Sequence, residues 1–294
     1  MKGFIRILVL FLGVFLFTSI GFHKIDYRNG MYKNVCKDLK NDVLAYFIFV
    51  DSKETSPWTE FDIRSTLDSI NSAVNWLNKQ AIKNNINLRM RANYYIGKPY
   101  TPVKRNLPQG TVEKTLNSSG LKQGFKDLNL WADAIAKKVG STFNITDKDG
   151  IPEIKNPRNK ERLIAFLRDD NKSESVALIF MVNNYYRVDI SVPVNIYNTD
   201  DVEFAIVSYK YPSEIAHNIL ALYGAAPLYK STYRHKESKI NFAQKEFPDE
   251  IMLDPYAKNI NELNIDALTQ YLIGWKDKLD PKYELLLTDA RINY

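Results

Sequence analysis

The sequence has a single cysteine, Cys36. No disulfide can form within the chain, so its stability must come from packing. Cys36 lies well past the apolar N-terminal run, which excludes a lipoprotein cysteine, and with no His partner near it in sequence it reads as a buried or spare thiol. Dense Lys/Arg clusters are missing too, so the basic balance reads as a solvated surface rather than a nucleic-acid or anionic-lipid site. Beyond the N-terminus no stretch is apolar enough to span a bilayer. There are no internal repeats and no low-complexity segment, which excludes solenoids and arrays.

What is present is ordinary globular material. The 294 residues are 45% hydrophobic and 25% charged, and a chain of this size buries roughly 75% of the surface its unfolded form exposes. The 18 Tyr and 15 Phe point to a core rich in aromatic packing. Formal net charge is +6. Lys2 and Arg6 belong to the segment described next, and without them the balance is +4 (6 − 2).

Residues 1–22, MKGFIRILVLFLGVFLFTSIGF, have the outline of a secretory leader: Lys2 and Arg6, an apolar run from Ile7 to Phe17, then small residues. The expectation is a signal peptide, residues 1–21, cleaved after Gly21, and an exported protein, periplasmic or secreted. The alternative is an uncleaved anchor, for which the run is short against the roughly 20 apolar residues a spanning helix needs.

Past the leader, the apolar run 43–50 reads as a buried strand. Ile63, Leu67, Ile70, Val74, Leu77 and Ile82 mark an amphipathic helix over 60–82, and 86–97 is a second strand. Residues 98–118 read as a loop. A helix follows over 121–139, closed by Gly140, then an irregular stretch 141–157 and a short helix 159–167. Residues 176–182 and 202–209 are strands. Residues 186–197 are strand-like, and Pro193 places them at an edge or in a hairpin. A helix capped by Ser213 spans 213–223, a polar stretch covers 230–249, a helix covers 263–275, and a short helical tail lies near 281–289. The order predicts a mixed α/β (α+β) domain around one sheet.

Residues 214–229, EIAHNILALYGAAPLY, carry the chemistry. Zinc proteases of the metzincin type use H-E-x-x-H-x-x-G-x-x-H or a terminal Asp. Two His at i and i+4 share one helix face and reach one metal. The intervening Glu takes a proton from the bound water, and Gly lets the chain turn so that a third ligand completes the site. This segment resembles that motif in a dismantled form. His217 stands at the first ligand position, Asn218 replaces the base, Ala221 replaces the second His, Gly224 keeps the turn, and Pro227 stands at the third ligand position. Glu250-Ile251-Met252 looks like the turn that carries a Met beneath the metal. On these residues, and on the order of elements before and after them, the chain resembles bacterial metzincin-like secreted proteases.

The resemblance implies a zincin/metzincin-like mixed sheet with packed helices and a smaller C-terminal helical part. It implies one domain over 22–294, with an N-terminal subdomain 22–229 and a C-terminal subdomain 230–294. Three protein ligands hold a catalytic zinc; Ala221 has no lone pair and Pro227 only a backbone carbonyl. Asn218 cannot take a proton, and losing a general base costs roughly 10²–10⁴ in rate. The expectation is therefore no catalytic residue, no metal or other cofactor, and a pseudoprotease that binds a protein or peptide and no nucleic acid. The alternative is an active hydrolase with a rebuilt zinc site, drawing on His235, Glu237, Asp249 or Glu250. Plainer readings stand beside these: His217 as a satisfied buried His, Gly224 as a C-cap, Met252 as core filler, and Glu214 as a first-turn Glu favoured by the helix dipole.

Overall fold

The computed structural model describes residues 23–26, 35–36, 38–98, 100–117, 119–145, 157–184, 189–196, 201–208 and 210–292. Residues 1–22, on which the leader reading rests, lie outside them. In chain order the elements are β1 (His23–Asp26), β2 (Asn41–Asp51), α1 (Glu60–Lys83), β3 (Leu88–Tyr95), β4 (Val103–Lys104), α2 (Thr111–Thr115), α3 (Leu121–Thr142), α4 (Asn159–Asn171), β5 (Ser175–Val182), β6 (Ser191–Val194), β7 (Phe204–Val207), α5 (Pro212–Leu222), α6 (Glu237–Glu246), α7 (Ala267–Leu272) and β8 (Thr288–Ile292).

The main sheet runs β3-β2-β5-β7-β6, with β4 beside the end of β2. Every pairing in it is parallel except β6 against β7. The fold is thus mixed α/β with a mixed sheet, as the sequence predicts. Successive side chains of a strand face opposite ways, and β2 shows it: Val43, Ala45, Phe47 and Phe49 enter one core, Leu44, Tyr46, Ile48 and Val50 the other. The first core is closed by α1 and α5, the second by α3 and α4. The path from β2 to β3 and the return from β3 to β5 run in opposite directions across the sheet. Right-handed crossovers therefore put their helices on opposite faces. Residues of the C-terminal part, among them Ile251, Leu268 and Leu286, share the α5 core.

Local chemistry sets the boundaries. Thr59 and Asp62 form a reciprocal capping box at the start of α1, satisfying two orphan N–H groups. Pro193 sits inside β6, and β6 is an edge strand, as its missing N–H requires.

Several expectations are corrected. The stretch 98–118 holds β4, paired with Val50 and Asp51, and α2. Gly140 does not close α3, which runs on to Thr142 with Phe143 as its C-cap. Ser213 does not cap α5: Pro212 occupies the first turn after the N-cap Tyr211, where its fixed φ and missing N–H cost nothing, and Ser213 Oγ donates instead to the Pro255 carbonyl (2.6 Å). The polar stretch 230–249 contains α6. The helix expected over 263–275 is cut to Ala267–Leu272, because Ile251 N–H bonds the Asn264 carbonyl (3.1 Å) and Asp266 N–H bonds the Glu250 carboxylate, holding that segment extended. The tail near 281–289 is a 3-10 turn, Pro281–Leu286, then β8, which pairs antiparallel with β1. No helix among the described residues is long and apolar enough to cross a membrane.

Candidate functional site

Helix α5 is buried on all sides from Ser213 to Leu222, as an apolar helix in the middle of a domain must be. It ends at Gly224, whose φ of 96° lies in the left-handed region that glycine enters without cost. Gly224 N–H reaches the Ala221 carbonyl (3.1 Å) and Ala225 N–H the Leu220 carbonyl (3.0 Å), the paired bonds of a Schellman end. The C-cap and the motif readings of Gly224 coincide. The chain then turns back so that Leu228 N–H bonds the Met252 carbonyl (2.9 Å).

That bond brings the motif together. His217, Ala221, Pro227 and Met252 line one cavity of about 510 Å³, bordered on another side by Ser191, Val192 and Pro193 of the edge strand. His217 is 4% exposed, and its Nδ1 lies 3.2 Å from the Ile251 carbonyl oxygen. A carbonyl only accepts, so Nδ1 is the protonated nitrogen and Nε2 keeps its lone pair. Burial pushes the ring down to about 4, against a smaller upward pull from the Ile251 bond, so the imidazole is neutral at pH 7. The Tyr229 ring lies 6.0 Å away, centroid to centroid. Tyr229 keeps 37% of its surface exposed, yet desolvation of its hydroxyl and the nearby Glu214 push it up to about 12.

Asn218, at the base position, is turned away from this cavity and is fully buried. Its Nδ2 donates to Ser191 Oγ (2.8 Å) and to the Glu214 carbonyl (2.8 Å), tying the helix to the edge strand. Its Oδ1 is buried with no hydrogen-bond partner among the described residues. Glu214 is also buried and outside the cavity lining. Burial raises it to about 7, with Asp254 and Asp189 adding to the effect.

Of the residues considered for a rebuilt centre, His235 reaches the cavity. Glu237 is exposed on α6, and Asp249 is exposed with its carbonyl bonded to Asn264 N–H (2.8 Å). Glu250 is buried beneath the turn, where it accepts from Thr269 Oγ1 (2.9 Å) and Met252 N–H (3.4 Å). Burial raises it to about 8, and the Asp266 charge pushes the same way. Among the described residues no three His, Cys, Asp or Glu side chains form a group able to hold a metal ion.

No family model matches the chain, and no curated protein matches it.

Cys36 is buried, its thiol donating to the Val176 carbonyl (3.2 Å); burial and the Glu203 charge raise it well above the usual range, which leaves it inert as a nucleophile. Three site residues escaped the sequence reading. Tyr229 ends the segment 214–229 and occupies none of its ligand positions. Ser191 is an unremarked hydroxyl before Pro193. Arg234 is fully buried, its Nε donating to the Pro227 carbonyl (2.6 Å), Nη1 to Asp289 (3.1 Å) and Nη2 to the Leu286 carbonyl (3.0 Å). An Arg is almost never fully buried unless paired, and its partner Asp289 lies in β8, 55 residues on.

Proposed function

We propose that this protein is an exported, catalytically inactive relative of the metzincin-like proteases, built on a zincin-type frame and acting as a protein- or peptide-binding module. The observation that carries the reading is the convergence of His217, Ala221, Pro227 and Met252 on one cavity beside an antiparallel edge strand. His217 and Ala221 share a face through their spacing alone; what the resemblance further implies, and what supports the reading, is the return of Pro227 and Met252 to that face. A cleft beside an edge strand is where an extended chain is captured by main-chain hydrogen bonds.

The chemistry left in the cavity supports binding over hydrolysis. One imidazole nitrogen with a free lone pair stands where three ligands are needed. Without the metal a water keeps its bulk acidity. Asn218 has no proton-accepting carboxylate and faces Ser191 instead. A second reading, a rebuilt metal hydrolase, draws on His235, which lines the same cavity as His217.

Metal analysis of purified, untagged full chain separates the two. The binding-module reading expects no stoichiometric zinc, no chelator-sensitive peptide cleavage, and a protein recovered repeatedly by pull-down from the envelope fraction. One zinc per chain, with cleavage abolished by His217→Ala, overturns it.

A further inference from the structure

Charge at the cavity is one-sided. Among the described lining residues there is no Asp or Glu, while Lys230 and His235 stand exposed at its rim; His217, within, is neutral. Lys230 makes no ion pair with a described residue, whereas Lys114, just before the lining residue Thr115, is spent on Asp127 (3.7 Å). Neutral hydroxyl and amide groups, among them those of Thr115, Asn117, Ser231 and Thr232, make up the rest of the polar lining. A cationic ligand would meet Lys230 and no lining carboxylate, Glu214 acting on Tyr229 only from outside the lining; an anionic one would meet both a cation and donors.

The edge strand says how much must come from such side-chain contacts. Ile190, just before β6, bonds the 208 position through both its backbone groups: its carbonyl accepts from Ser208 N–H (2.8 Å) and its N–H donates to Ser208 Oγ (2.6 Å). Backbone groups alternate along an antiparallel strand, so Ser191 and Pro193 turn theirs to the open edge. Ser191 offers an N–H and a carbonyl; Pro193 offers a carbonyl and no N–H. A chain laid along β6 gains three backbone bonds at most, too few for micromolar binding by themselves. Side chains entering the cavity therefore set both the affinity and the choice of partner.

We infer that the cavity beside β6 takes an acidic segment of an extended peptide, its carboxylates facing Lys230 and His235. The inference rests on the binding-module reading. It deepens that reading by naming the class of partner.

The test is fluorescence anisotropy on the full chain with two labelled peptides of equal length, one alternating Ala with Glu and one alternating Ala with Lys. The Glu peptide is expected to bind roughly tenfold tighter or better, with an advantage that shrinks as salt screens exposed charges. Lys230→Glu, at an exposed position, is expected to erase or reverse the preference with the circular-dichroism spectrum unchanged. Thr232→Trp, which puts a bulky ring into the cavity lining, is expected to weaken the Glu peptide. Equal binding of both peptides, lost together in Thr232→Trp, overturns the acidic class and leaves the binding-module reading standing. Tighter binding of the Lys peptide, or indifference to Lys230→Glu, also overturns the acidic class. Binding of neither peptide counts against both.

Discussion

His217 Nδ1 lies 3.2 Å from the Ile251 carbonyl oxygen, so the one ring left at the ligand positions is held by the turn that carries Met252. The bond fixes the tautomer, and burial keeps the ring neutral against the smaller upward pull of that bond. The unfolded chain takes up a proton near 6.5; the folded chain takes it up only near 4. Stability from this group is complete above 6.5 and is lost as pH falls toward 4, by on the order of 3 kcal/mol.

Glu203 and Glu250 work with the opposite sign, and their presence shapes the first prediction. Burial raises both to about 8, so they favour the folded state as pH falls from 8 toward the ordinary carboxylate range. His217→Leu isolates the ring. At pH 7 the variant loses the Ile251 bond and is less stable by about 1 kcal/mol. Its deficit in denaturant midpoint shrinks or reverses by about pH 4.5. A deficit that stays constant over that range contradicts a buried neutral imidazole.

Restoring the lost donors should restore the metal. Ala221→His places a second imidazole one turn after His217 on the same helix face, and Pro227→His supplies a third where the cavity wall returns. The double variant is expected to take up one zinc per chain, and zinc at 100-fold over its Kd to stabilise it by about 2.7 kcal/mol. Adding His217→Ala should abolish the uptake. A folded double variant that ignores zinc removes the geometric basis of the metzincin-like reading.

Arg234 holds the cavity wall to the C-terminal strand. It is fully buried with Asp289 and also carries the Pro227 and Leu286 carbonyls. Breaking a buried pair leaves a charge uncompensated, so Arg234→Met is expected to cost about 3–5 kcal/mol in urea unfolding. Arg234→Met with Asp289→Leu should recover part of that loss. Equal stability of the single variant and the native chain would refute the role.

At the end of α5, Gly224→Ala forces a β-carbon into the left-handed region at φ 96°. The expected cost is about 1–2 kcal/mol, read as a lower thermal midpoint, with no change in the far-ultraviolet spectrum of the folded protein.

Much of the frame is legible in the sequence because its signals are local. The apolar run 43–50 becomes β2, and the 3.6-residue spacing from Ile63 to Leu77 becomes the buried face of α1, while Ile82, expected on that face, is exposed. Pro193 marks an edge, since a missing N–H is fatal only between two neighbours. The motif spacing alone places His217 and Ala221 on one face. What the sequence hides depends on partners far along the chain. The helix expected over 263–275 is shortened by contacts with Glu250 and Ile251, and β8 exists as a strand because β1, at the other end of the chain, pairs with it.

The same division holds at the site. Sequence by itself determined that positions 221 and 227 carry no metal-binding side chain and that 218 carries no base, because a methyl group, a proline ring and an amide keep their chemistry in any fold. Only the tertiary structure decided which nitrogen of His217 is free, that Asn218 turns to Ser191, and that the cavity beside β6 has no carboxylate among its described lining residues. Those are relations between groups brought close by folding, and no residue type encodes its own neighbours.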